Sequence, residues 1–277
     1  MIEFKNIKDF NTDHIFDCGQ CFRWEREEDG SYTGIASGYI ANVSYEDGSV
    51  FVDGDGSRDF WFDYLDLGRD YGKIKEQISE SDETIREAIK YGYGIRLLKQ
   101  DMWETLISFI ISQNNNIPRI KGCIEKLCQM FGEAAGERNG KVFYTFPERE
   151  RLAQLTEEDL APIKLGYRAR YIIETAKADL NLEEAAKGTS KEVYEFLLSL
   201  TGVGPKVANC ILLFGFARFD SFPIDVWVKR VMNMLYGFEE KDVKGMKTFA
   251  DNTYGDLGGF AQQYLFYYVR SLNEGNK

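Results

Sequence analysis

The sequence predicts an α+β protein in which an N-terminal twisted antiparallel β-sheet packs on an all-helical body. Residues 1–66 are rich in aromatic and β-branched side chains broken by Gly and Asp, and from about Ser81 the hydrophobic period becomes helical. Size agrees: 277 residues, 44% hydrophobic and 14% aromatic, suffice for a substantial core in one large or two smaller domains. Disorder and a collagen-like fold are excluded.

In the sheet region, residues 41–45 and 50–52 flank Glu46-Asp47-Gly48-Ser49, a turn with Gly where positive φ is expected, which predicts a hairpin. In the helical region Ile85, Ala88 and Ile89 share a face. Asp101 followed by Glu104 gives a capping-box-like start to residues 102–113. Further helices are expected at about 118–131, 149–155, 157–163, 168–180, 191–200, 205–215, 225–236 and 258–272. The stretch from Gly132 to Gly140, with Gly136 and Asn139, reads as a surface loop. There is no internal repeat and no low-complexity tract.

The formal charge of −11 argues at first against a partner as negative as DNA. Its distribution reverses that: residues 1–66 hold 15 acids and 5 bases, leaving 30 acids against 29 bases in the remainder. No basic stretch followed by an apolar core opens the chain, and the longest nearly apolar stretch, 207–217, is interrupted by Asn209 and too short to span a bilayer. A soluble, cytoplasmic monomer with no membrane contact is expected. Five cysteines, an odd number, fit reduced thiols. Cys18 and Cys21 form a C-x-x-C without a second pair at zinc spacing, and Cys123 and Cys128 diverge on a helix, so a turn or core role outweighs metal or redox use.

The most informative stretch is Leu200-Thr201-Gly202-Val203-Gly204-Pro205-Lys206-Val207-Ala208, between one amphipathic and one apolar helix. Gly202 and Gly204 around Val203 allow a tight turn, and the next helix then presents free N–H groups that bind a phosphate oxygen without reading a base. This is a helix-hairpin-helix pattern. Lys206 stands in the first turn, at the positive end of the helix dipole and near an apolar wall, both of which disfavour the ammonium form. It is either a phosphate-contacting cation or an amine nucleophile able to attack C1′ of a nucleotide. Asp225, 19 residues on, returns to the hairpin mouth, where it can cap the next helix, stabilise positive charge on a sugar, or do both.

With the following Phe222-Pro223-Ile224-Asp225, the hairpin resembles the helix-hairpin-helix glycosylase (HhH-GPD) superfamily, whose Gly/Pro-rich loop ends in an essential Asp. Remote segments resemble one branch of it, the 8-oxoguanine DNA glycosylase/AP lyases, over most of the chain. The resemblance implies that Lys206 is the Schiff-base nucleophile and Asp225 the catalytic carboxylate. Cys18-Gly19-Gln20-Cys21-Phe22-Arg23-Trp24 resembles S-G-Q-x-F-R-W, which implies that the Gly19 carbonyl accepts the N7–H that guanine lacks. Residues 261–266, AQQYLF, resemble the helix whose Gln262 bonds the Watson–Crick edge of the flipped base and whose Phe266 stacks on it, with Cys210 on the other face. By residue type alone Phe266 reads as core. Asn114-Asn115-Asn116-Ile117-Pro118-Arg119 and Gly166-Tyr167-Arg168-Ala169-Arg170 resemble the segments that fill the vacated stack. Asn114 would insert, Arg119 and Arg168 would read the orphaned cytosine, and Tyr167 would wedge the duplex. Their plain reading is a helix end and a solvated basic face.

The resemblance implies an N-terminal β domain, 1–90, and an HhH-GPD region, 91–277, of two lobes: 112–184, and 91–111 with 185–277, the latter carrying the hairpin at 191–215. It implies as partner double-stranded DNA containing 8-oxoguanine, preferably opposite cytosine, and a chemistry that needs no cofactor or metal, while a cation held by the hairpin carbonyls stays open. One position departs: a histidine is usual two residues after the Asp, helping to contact a DNA phosphate, and here Trp227 stands. No role falls to the single His14, so a His-based triad or zinc-water mechanism is excluded. The alternatives are a monofunctional alkylated- or damaged-purine glycosylase, which would use Asp225 with water, and a non-catalytic HhH DNA-binding protein. An iron–sulfur relative is disfavoured, because no cysteine follows Cys210.

Overall fold

The computed structural model describes residues 1–274. Strands β1 (Ile2–Phe4), β2 (Trp24–Arg26), β3 (Tyr32–Ala36), β4 (Tyr39–Glu46) and β5 (Ser49–Gly54) form one antiparallel sheet in the order β1-β5-β4-β3-β2. The expected hairpin is β4–β5, closed by Asp47 and Gly48, both at positive φ. Trp24, Tyr32, Val43, Val50 and Val52 bury one side of the sheet against Phe10, Phe16 and Trp61. Helix Arg58–Tyr64, capped by Ser57, and helix Tyr71–Ser81, capped by Asp70, begin the helical part earlier than Ser81.

The body is helical and its core is continuous, with Leu106, Ile107, Ile110, Ile124, Leu127, Ile172, Leu197 and Ile211 buried in one cluster. Asp101 caps Met102–Ser112 by accepting from the Glu104 N–H, as expected. The Glu104 carboxylate does not complete a box; it turns to Arg23, 3.3 Å away, across the boundary to the sheet domain. Helices Ile117–Phe131, Arg168–Lys177, Ser190–Leu198, Pro205–Phe214 and Val226–Tyr236 lie within three residues of their expected bounds.

The expected loop at 132–140 is a correction. Residues Ala134–Arg138 (β6) and Lys141–Tyr144 (β7) form a second hairpin around Asn139-Gly140, both at positive φ. Phe143 and Ala135 pack there on Ile35 and Ile40, and Arg138 meets Asp53 at 2.6 Å, so the hairpin braces the first sheet. Among the described residues no helix is long and apolar enough to cross a membrane.

Buried polar groups join sheet domain and body. Arg96 donates to the main-chain carbonyls of Asp9, Asp66 and Lys8. Gln20 donates to those of Ile15 and Arg96 and accepts from the Leu98 N–H. The last helix, Gly258–Glu274, closes on the same region through Gln263, which donates to the Cys18 carbonyl at 2.7 Å, and Arg270, which donates to that of Asp17.

Candidate active site

Pro205 opens its helix at N1, where a missing N–H is harmless, and Gly204 is the N-cap. The preceding turn is fixed by Gly202. Its φ is +80°, and a Cβ there would fall 2.3 Å from a Tyr171 ring carbon, so only glycine fits. The Val203 N–H closes the turn on the Leu200 carbonyl, and the Gly202 carbonyl accepts from Gln113. The hairpin is therefore tied to the end of helix Met102–Ser112.

Lys206 is half-buried, one turn before Cys210, with Nζ 5.6 Å from the centroid of the Phe109 ring. Phe109 stacks on Phe214 and meets Phe22 edge-on at 5.7 Å, which connects the amine to the segment after Cys21. Asp225 caps helix Val226–Tyr236 by accepting from the Val228 N–H at 2.8 Å. Burial raises its carboxyl above the usual range, opposed by that N–H and by the charge of Lys206. Burial likewise raises the Cys210 thiol, against the pull of Lys206. Lys206, Cys210 and Asp225 thus form one electrostatic group.

A second wall comes from the Cys18–Cys21 loop and the last helix. Gly19 has φ of +80°, and a Cβ there would lie 3.2 Å from Phe266 and 3.6 Å from Ile117. The carbonyls on either side are claimed, Cys18 by Gln263 and Gln20 by Gln100, whereas that of Gly19 accepts no hydrogen bond among the described residues. Phe266 is half-buried, not core, and lies one turn, about 5.4 Å, from Gln262. Gln262 is 4% exposed and its Oε1 is buried without a hydrogen-bond partner among the described residues. Such an orphan acceptor is costly unless a ligand supplies a donor.

Cys18 and Cys21 are buried thiols directed at the Ile15 and Phe16 carbonyls, and burial pushes Cys18 up to about 11. Neither is poised for thiolate chemistry. Residues 114–119 and 166–170 do meet. Asn114, exposed at φ 46°, and Tyr167, also exposed, stand at the surface, and Arg119 donates to the Lys164 carbonyl at 3.0 Å. Arg168 is not part of a solvated basic face: it is 5% exposed and its guanidinium donates to the main-chain carbonyls of Gln113, Asn114 and Leu165. Those carbonyls sit at a helix end where no N–H is available, so a buried fork fills the gap. Arg168 holds the Asn114 turn and does not face solvent.

Sequence reasoning missed Gln113, Phe109 and Gln263. Gln113 links the Arg168 turn to the hairpin, Phe109 backs the Lys206 amine and Gln263 anchors the Gly19 loop. A signal existed for Gln263 alone, as the second amide of a Gln pair on a helix otherwise apolar at 260–266.

Residues 2–106 match the family described as 8-oxoguanine DNA glycosylase, N-terminal domain, and residues 107–252 match the HhH-GPD superfamily base excision DNA repair protein family. The solved structure of the Clostridium acetobutylicum 8-oxoguanine glycosylase/lyase, in complex with duplex DNA containing cytosine opposite 8-oxoguanine, superposes with a TM-score of 0.93 at 41% identity, covering 98% of this chain and 95% of that one. MBOgg1 in complex with a low-affinity DNA ligand gives 0.93 at 47% identity, covering 98% and 96%. The N-glycosylase/DNA lyase OGG1 of Arabidopsis thaliana is 28% identical over 277 residues, 91% of this chain and 75% of that protein.

Proposed function

Because the chain belongs to the 8-oxoguanine DNA glycosylase/AP lyase family of the HhH-GPD superfamily, we propose that it excises 8-oxoguanine from duplex DNA and then cleaves the strand. The observation that carries the substrate is the free Gly19 carbonyl between two claimed ones. An acceptor held there rewards the N7–H of 8-oxoguanine and repels the N7 lone pair of guanine, a difference of about 1–3 kcal/mol when buried. The orphan Oε1 of Gln262 matches the N1–H and N2–H donors of the same base.

In this reading the extruded base stacks between Phe266 and Cys210, and Gly202, Val203 and Gly204 hold a phosphate at the hairpin. The Lys206 amine, once neutral, attacks C1′; the C1′–N9 bond breaks and the departing base takes up a proton. The Asp225 carboxylate stabilises the positive charge at the sugar and moves protons. The sugar ring opens to a Schiff base on Nζ, and loss of the C2′ proton expels the 3′ phosphate by β-elimination. Asn114 and Tyr167 fill the vacated stack, and Arg119 and Arg168 face the orphaned cytosine, Arg168 with the one guanidinium N–H that its bonds to Gln113, Asn114 and Leu165 leave over. The protein acts as a cytoplasmic monomer, with the duplex against the cleft between lobe 112–184 and the hairpin lobe.

Borohydride trapping on a duplex with one 8-oxoguanine opposite each of the four bases tests this, with Lys206→Gln in parallel. The expected result is a covalent adduct, strongest opposite cytosine and lost in the variant. Free base without adduct would mean a water-using glycosylase; neither product would leave a DNA-binding protein.

A further inference from the structure

On the helix capped by Asp225, Trp227 and Arg230 are three residues apart and share a face. The Arg230 guanidinium carbon lies 4.8 Å from the Trp227 ring centroid. Among the described residues, every other arginine except Arg151 donates to a carboxylate or a main-chain carbonyl, from the Arg23–Glu104 pair to Arg270 on Asp17. Arg151 lies over Phe131 in the other lobe. Arg230 is exposed, and stacking alone fixes it, so its N–H edge is free for a ligand. Asp225 is not its partner, since the cation acting on that carboxylate is Lys206.

Position gives the ligand class. Five residues of α-helix advance about 7.5 Å from Asp225 to Arg230, roughly the rise of two nucleotides, ~3.4 Å each, along the duplex axis. If Asp225 faces the sugar of the extruded nucleotide, a free guanidinium at that distance meets the phosphodiesters flanking it. Guanidinium binds phosphate oxygens through paired N–H groups, and an indole beneath it holds the plane without consuming them.

We propose that Arg230, held by stacking on Trp227, is a positioning residue that clamps a phosphate of the damaged strand beside the extruded nucleotide. The proposal rests on the reading given under Proposed function. It also accounts for Trp227: the indole carries no charge, and the cation at this place comes from one turn further along the helix.

The test is the affinity of the full chain for a duplex bearing a stable abasic analogue opposite cytosine, measured against salt for wild type, Arg230→Gln, Arg230→Lys and Trp227→Ala. Circular dichroism checks folding, and single-turnover release of 8-oxoguanine is followed in parallel. Arg230→Gln is expected to weaken binding and to make the slope of log K against log salt shallower by about 0.9, one phosphate contact. Arg230→Lys should keep the slope and bind less tightly; Trp227→Ala should lose affinity with the slope retained. A wild-type slope and affinity in Arg230→Gln overturns the proposal, and wild-type affinity in Trp227→Ala overturns the stacking part of it. Absence of base release by the wild type would instead defeat the glycosylase reading, while the salt slopes still judge the phosphate contact.

Discussion

Replacing Gly19 by Ala separates what its backbone costs from what its carbonyl reads. At φ +80° a Cβ costs roughly 1–2 kcal/mol. In a chain of this size that corresponds to a fall in Tm of roughly 2–8 °C. The control is Gly38→Ala, at φ +83° with nothing within 4 Å of the added carbon, where the same strain arises far from Phe266. At Gly19 the new methyl also stands 3.2 Å from Phe266, so ring or carbonyl must shift by a few tenths of an ångström. Losing the carbonyl contact to N7–H, at about 1–3 kcal/mol, lowers the excision rate roughly 5- to 150-fold. Thermal unfolding and single-turnover excision on an 8-oxoguanine:cytosine duplex, run on both variants, measure the two effects. Similar losses of Tm with excision intact in Gly19→Ala, together with a Gly19 carbonyl displaced in the variant's crystal structure, would refute lesion reading by this carbonyl.

Asp225→Asn keeps an N-cap side chain but removes the charge. Because burial raises the carboxyl, its ionisation opposes folding as pH rises past the ordinary carboxylate range, so the variant should be no less stable than wild type at pH 7 while excision is lost; calorimetry and the trapping assay check both. For the wild type the acid limb of the pH–rate profile should lie above the range of an unperturbed aspartate, since the ionised form is required. Arg168→Lys cannot fork onto the Gln113, Asn114 and Leu165 carbonyls and should cost about 2 kcal/mol in urea unfolding. Asp82 accepts from the phenols of Tyr236 and Tyr254, tying the segment before residue 86 to two helices of the body. Asp82→Ala should lower stability by about 2–3 kcal/mol in the same assay with excision unchanged at 25 °C.

Most of the helical body was legible because its helices carry local signals. Pro205 after Gly204, Asn116 before Ile117, and Asp225 before Val226 mark starts that hold in the structure. Tyr71, Ile74 and Ile78, with Asp70 as cap, carry the same signal but lie in a stretch dominated by aromatics and turns, so this helix went unpredicted. The second hairpin was missed although Asn139-Gly140 is a strong two-residue turn signal, because the flanking residues 134–138 have no hydrophobic alternation. For the candidate site the motifs name Lys206, Asp225 and Gly19, and the structure sets the charge of Lys206 against the Asp225 carboxylate. The partners that set their geometry are not named by them: Gln263 reaches 245 residues back to Cys18, and nothing in local pattern encodes that. For Arg168 the motif named the residue, but its burial on main-chain carbonyls has no local sequence signal.

The adjacent amides Gln262 and Gln263 divide two tasks along a single turn of backbone, one fastening the sheet domain and the other offering an empty oxygen. Neighbouring residues on a helix point about 100° apart, so the division depends on phase. A single residue inserted in the turn Gly255–Leu257 would rotate the last helix by that angle if its start were held. The fastening amide would leave Cys18, and the Gln262 amide proposed to read the base would turn away with it. On the reading given under Proposed function, domain assembly and base recognition therefore share one point of failure, the phase of the last helix.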